Sequence, residues 1–174
     1  MKLLMPVLIW IEVLLIGCTG GGGPEDELGT RSAELSSAPT TTVIGRGTFG
    51  SFHVKRKSED DPRWEIDLNA KTDTDIVVQK VTFPPGSTSG WHTHPGPVFI
   101  TVTKGTVTFY EANDPACTPN ALSAGATLID AAEANHGHIA RNEGTDDAET
   151  AVTIFLRKGD PTRVGLPTPG NCPF

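Results

Sequence analysis

The sequence predicts an all-β fold, a single closed sandwich or barrel of short strands, and three observations carry the prediction. From Val43 onward apolar and polar residues alternate with period two. Turn residues interrupt that alternation at short intervals, among them Pro84-Pro85-Gly86, Lys104-Gly105 and Asn142-Glu143-Gly144. Helix signals are scarce, with only Asp130–Ala134 showing local helical character. The expected strands are Val43–Arg46, Phe52–Lys57, Trp64–Leu68, Asp75–Phe83, Val98–Val102, Thr106–Glu111, Ala126–Ile129, His136–Arg141 and Ala148–Arg157. Closing such strands on one another removes the unpaired edges that an open sheet leaves.

With 174 residues the chain is long enough for one domain with a real core, placed here at 43–174. The 37% apolar and 20% charged content excludes a disordered or membrane-filling chain. Net charge is −7, and the one basic run, Lys55-Arg56-Lys57, reads as a solvated strand edge. Phosphate binding needs a basic footprint that this composition lacks, so nucleic acid is not an expected partner.

Residues 1–17 are apolar except for Lys2 and Glu12, the layout of an export signal. Leu15-Ile16-Gly17-Cys18 resembles a bacterial lipobox, in which lipid is attached to the cysteine before cleavage. That resemblance implies that Cys18 is the lipidated first residue of the mature chain and anchors it to a membrane. Thr19, where an Asp is absent, points toward the outer membrane and periplasmic side of the cell envelope. Residues 18–42, rich in Gly, Ser, Thr and Pro, read as a flexible tether. In an exported chain the two remaining thiols, Cys117 and Cys172, most simply form one disulfide.

Five histidines are present, and four fall in two pairs, His92-Thr93-His94 and His136-Gly137-His138. Residues two apart on a strand project to one face, so each pair presents two imidazoles side by side. If both strands face one interior the rings converge, and neutral imidazole is a ligand suited to Fe, Mn, Zn, Ni or Cu. His53 stands alone in a polar strand and reads as a surface residue.

Gly86, five residues and then His92-Thr93-His94, closed by Gly105, resembles the first motif of the cupin superfamily. His138 followed by three residues and Asn142 resembles the second, with Ala124-Gly125 ahead of it. The resemblance covers Asp75 to Arg157 and implies a cupin-type double-stranded β-helix, or jelly-roll barrel, with a divalent metal ion at its centre. It departs from the pattern twice. Val98 stands where cupins usually carry a glutamate ligand, leaving a neutral histidine site. Glu133-Ala134-Asn135 replaces the usual Pro-x-Gly, so spacing from Gly125 favours His136 as third ligand whereas spacing to Asn142 favours His138. The ligand set expected is His92, His94 and His138, with His136 a fourth ligand or a donor to one.

Val98, Ile100 and Gln79 are expected to line a small-molecule pocket beside the ion. The resemblance implies an oxygenase or isomerase acting on a small molecule, or an envelope protein that holds a metal or small ligand without turning it over. Between enzyme and binding protein the sequence does not choose. Many cupins also pair as homodimers, a partner that the resemblance adds.

Overall fold

The structure, a computed structural model, describes residues 38–132 and 136–174. The expected signal at 1–17, the lipidation residue Cys18 and most of the tether lie outside the described residues, as do Glu133, Ala134 and Asn135. Twelve strands follow in order: β1 Thr40–Phe49, β2 Phe52–Lys57, β3 Glu65–Ala70, β4 Thr74–Phe83, β5 His92–Thr93, β6 Val98–Lys104, β7 Thr106–Glu111, β8 Asn120–Ser123, β9 Thr127–Asp130, β10 His138–Arg141, β11 Ala148–Arg157 and β12 Val164–Gly165. No α-helix occurs among the described residues.

Ten strands form two five-stranded antiparallel sheets, ordered β1-β4-β11-β6-β9 and β12-β5-β10-β7-β8, and β2 pairs with β3 as a separate ribbon. Alternation decides which side of each strand is buried. Val77, Gln79 and Phe83 of β4, Val98, Ile100 and Val102 of β6, and every second residue of β11 from Ala148 to Leu156 turn inward. Val107, Phe109 and Ala140 meet them from the second sheet, so one core lies between two facing sheets, the arrangement of a jelly roll. A second, smaller cluster of Trp91, Tyr110, Ile139 and Cys172 sits on the outer face of the second sheet, where the C-terminal tail covers it.

The tail is tied down at several points. Cys172 is joined to Cys117 by a disulfide. β12 pairs with β5, and the Leu166 N–H donates to the Trp91 carbonyl at 2.9 Å. A chain closing a loop of this length restricts the unfolded state by about 4 kcal/mol on the loop-entropy account.

Two glycines are required by geometry. Gly105 joins β6 to β7 with φ 66°, a left-handed turn. At Gly96, in the link from His94 to β6, a Cβ would lie 2.1 Å from the Phe155 carbonyl oxygen, so the backbone can pass β11 only without a side chain.

β1 begins at Thr40, earlier than the expected start at Val43, because the β-branched run Thr40-Thr41-Thr42 pairs with Thr82, Val81 and Lys80 of β4. Asn142, the closing residue of the second motif, is buried and structural. Its side-chain amide donates to the carbonyls of Phe83 (2.7 Å) and Asp146 (2.8 Å), stapling the end of β10 to the end of β4.

Candidate metal centre

β5 and β10 are neighbours in the second sheet, and His92 and His138 are direct cross-strand partners. Both side chains therefore leave the sheet on one face, and His94, two residues beyond His92, follows on the same face. The three residues are 6%, 9% and 3% exposed. Their ligand nitrogens lie within 4.8 Å of one another, and the ring centroids are 4.9 Å (His92–His94), 4.5 Å (His92–His138) and 5.4 Å (His94–His138) apart.

Each ring has its Nδ1 turned to an acceptor. His92 Nδ1 donates to the Gly90 carbonyl at 2.8 Å, and His94 Nδ1 to the Thr162 carbonyl at 2.6 Å. His138 Nδ1 faces Asp130 Oδ2 at 3.4 Å, a long contact, yet that buried oxygen has no closer partner. An imidazole that donates from Nδ1 carries its lone pair on Nε2. His92 and His94 thus turn their Nε2 lone pairs toward His138, and the three rings form the kind of donor set that holds a transition metal.

The surroundings of His92 and His94 disfavour their charged forms. Burial first, then the neighbouring His138 and Arg163, push the His92 imidazole down to about 3. Burial also lowers His94. Asp130 experiences burial that would raise its carboxyl, but the His138 ring and the Ala132 N–H outweigh it and hold the group at about 2. A fixed carboxylate behind His138 orients the ring and raises its basicity toward a metal.

Beside the rings lies a cavity of about 250 Å³. Val98, Ile100 and Gln79 line it, together with Val81, Phe83, Phe109 and Val152 on its apolar side. Ala38, Pro39 and Thr41 complete part of the wall, so the stretch just before the expected domain boundary belongs to the cavity. Val98, fully buried in the position of the usual glutamate ligand, leaves the centre without an anionic donor. Its cross-strand partner is Asp130, which stands behind His138 and not among the ligand atoms.

His136 requires a correction. It is not part of the cluster: its Nε2 contacts Glu111 Oε2, and its carbonyl accepts from Thr93 Oγ1 at 2.8 Å. The reason is where the strand starts. β10 begins at His138, so the two-residue rule that would align His136 with His138 does not extend back across Gly137. His53 lies on the exposed ribbon, bonded to Asp67.

Three contributors had no clear sequence signal. Thr162 acts through its backbone carbonyl, Asp130 comes from the strand end next to the poorly patterned segment, and Arg163 reaches the cavity wall from the tail. For Asp130 the parity of β9 was available, since Leu128 and Asp130 share the inward face.

Residues 79–155 match the cupin domain family. That stretch, less than half of the chain, is what is similar to a cupin domain. The match spans both histidine-bearing motifs, from Gln79 on β4 to Phe155 on β11. Among solved structures, the chain is similar to an uncharacterized conserved protein with a double-stranded β-helix domain from Klebsiella pneumoniae, at 19% identity over 70% of this chain and 79% of that one, TM-score 0.43. It is similar to a cupin domain from Bordetella pertussis at 16% identity, covering 62% and 95% of the two chains, TM-score 0.41. A sugar phosphate isomerase of the cupin superfamily from Silicibacter pomeroyi shares 22% identity over 48% and 51%, TM-score 0.41. None of the curated proteins matches the chain in sequence.

Proposed function

We propose that the protein is a metal-dependent cupin in which Nε2 of His92, His94 and His138 hold one divalent transition-metal ion beside a small-molecule cavity. The observation that carries this reading is convergence: the ligand nitrogens of three buried rings lie within 4.8 Å of one another, with Nδ1 of His92 and His94 engaged by backbone carbonyls. Three imidazoles crowded in a desolvated cup gain little from one another, whereas a cation satisfies all three at once.

A bound ion there supplies Lewis-acid or redox chemistry to whatever occupies the cavity. The chain's own residues position and exclude. Val98, Ile100, Phe109 and Val152 keep water from the histidine side, while Gln79 and Thr150, both buried, offer polar atoms to a ligand. Among the described residues no carboxylate lines the cavity, so no carboxylate is placed there as a general base. Oxygenase or isomerase chemistry fits this lining better than hydrolysis does.

The proposal also places the protein on the cell envelope through lipid on Cys18. The Cys117–Cys172 disulfide supports export, because such bonds persist in oxidising compartments. Cys18→Ser is expected to move the protein out of the membrane fraction. An unchanged distribution overturns that part.

The test of the metal reading is metal content of the full chain after loading with Fe(II) or Zn(II). One equivalent is expected, falling to background in His92→Ala and His138→Ala but not in His136→Ala. Equal metal in all four proteins would refute the reading. Stoichiometric iron with substrate-dependent oxygen uptake marks an oxygenase, and retained metal without turnover marks a binding protein.

A further inference from the structure

The tail that supplies the Thr162 carbonyl to His94 also carries Arg163 to the rim of the same cavity. Its Nη2 donates to the Ser89 carbonyl at 2.8 Å. Ser89 is itself fixed, its hydroxyl donating to the Gly90 carbonyl and accepting from the Ala140 N–H, both at 2.9 Å. The guanidinium is thus held against the loop that orients His92, with donors left over, since arginine has five.

Arg46, Arg63, Arg141 and Arg157 each pair with a carboxylate, whereas Arg56, exposed on the β2–β3 ribbon away from the cavity, pairs with none among the described residues. Arg163 has no carboxylate within ion-pair distance among the described residues. It lines the same cavity as the three imidazoles. A cation set beside a cation-binding centre opposes the binding of the metal. Its placement makes physical sense if the occupant of the cavity is an anion that bridges the two.

We propose that Arg163 is the anion-binding residue of this cavity and that the ligand is a small carboxylic acid. Its carboxylate lies on the guanidinium, and its apolar body lies against Val81, Phe83, Ile100 and Val152. The planar guanidinium fork matches a carboxylate, whereas one arginine with no cluster of backbone N–H groups is a poor phosphate site. A cavity of about 250 Å³ has room for a small organic acid beside the ion. This inference names the ligand class of the metal-centre proposal and rests on it for treating the cavity as a ligand site.

The test is titration of the full chain, zinc-loaded, with butyrate and with the neutral isostere butyramide, metal content being measured on the same samples. Wild type is expected to prefer butyrate by about ten-fold, the value of a charge-assisted pair at a partly solvated site. Arg163→Gln is expected to lose that preference to within about two-fold. Arg163→Lys, which keeps the charge but not the fork, is expected to fall between. Zinc content is expected to hold in Arg163→Gln, since a repelling charge has been removed. No preference in wild type, or a preference that survives Arg163→Gln, overturns the proposal. Should zinc fail to bind while the preference is present and depends on Arg163, the anion site stands and the metal reading falls.

Discussion

The histidine end of the barrel and the β2–β3 ribbon share one sequence pattern and have opposite fates. Both are built from strands that alternate. In the ribbon, Val54, Ile66 and Leu68 share one face, and His53, Lys55, Asp67 and Glu65 the other, where Lys55 pairs with Glu65 and Asp67. Yet Val54 is 52% exposed and Ile66 43%, because no second layer among the described residues buries them. In the barrel the same alternation buries Val98, Ile100 and the three histidines completely or nearly so. Period two assigns faces, and only the opposing sheet makes a face into a core. The barrel is therefore expected to carry both stability and site geometry, while an isolated two-stranded ribbon contributes little to either.

The largest expected effect that breaks this contrast is loss of the tail's anchor. Cys172→Ser, leaving Cys117 unpaired, is expected to destabilise the barrel by about 4 kcal/mol in denaturant unfolding. It should also weaken zinc binding, because the tail brings Thr162 to His94. An unchanged zinc affinity would show that the tail does not support the site.

Next comes a matched pair of cuts. Ile154→Ala, at a fully buried barrel position, is expected to cost about 2–5 kcal/mol. Ile66→Ala in the ribbon should stay within about 0.5 kcal/mol of wild type. Equal losses would mean that the ribbon is packed against something in solution, a second copy of the chain being the first occupant to examine by mass in solution.

Removing the carboxylate behind His138 is smaller and more specific. Asp130→Asn is expected to weaken zinc binding by about 10- to 100-fold without an equal loss of stability. Calorimetric titration reads the first and thermal unfolding the second.

The smallest effect concerns pH. Asp75, at the β1–β4 junction, accepts from Thr48 Oγ1 at 2.6 Å, from the Gly159 N–H at 3.1 Å and from Arg46 Nε at 2.9 Å. These bonds, Thr48's first, hold its carboxyl down from 3.8 to about 2. A carboxyl lowered in the folded state stabilises the fold above its unfolded value, and that contribution fades as pH falls from about 4 toward about 2. Asp75→Asn is expected to flatten this acid limb of the stability profile. An identical limb in the variant would place the acid sensitivity elsewhere. No matching change is expected for Asp67→Asn on the exposed ribbon, where water screens the pairs.

How much was legible beforehand follows from the same contrast. β2, β7 and β11 match their expected bounds residue for residue, since long alternation marks a strand wherever it ends up. β5, β8 and β12 were not anticipated. Two to four residues carry no period, and their pairing is imposed by neighbours such as His138 opposite His92. Both histidine pairs were readable from spacing, and the choice between His136 and His138 was not, because it turned on which side of Gly137 the strand begins. Thr162 was invisible in principle, as a carbonyl has no letter of its own. Arg163 and Asp130 are brought to the site only by tertiary pairing.

X-ray absorption of the zinc-loaded full chain tests the central claim most directly, because it counts imidazoles in the coordination shell. Three histidine ligands at about 2.0–2.1 Å are predicted, with any zinc that His94→Ala retains held by no more than two. A shell of oxygen donors without imidazole, or one unchanged by His94→Ala, would contradict the account.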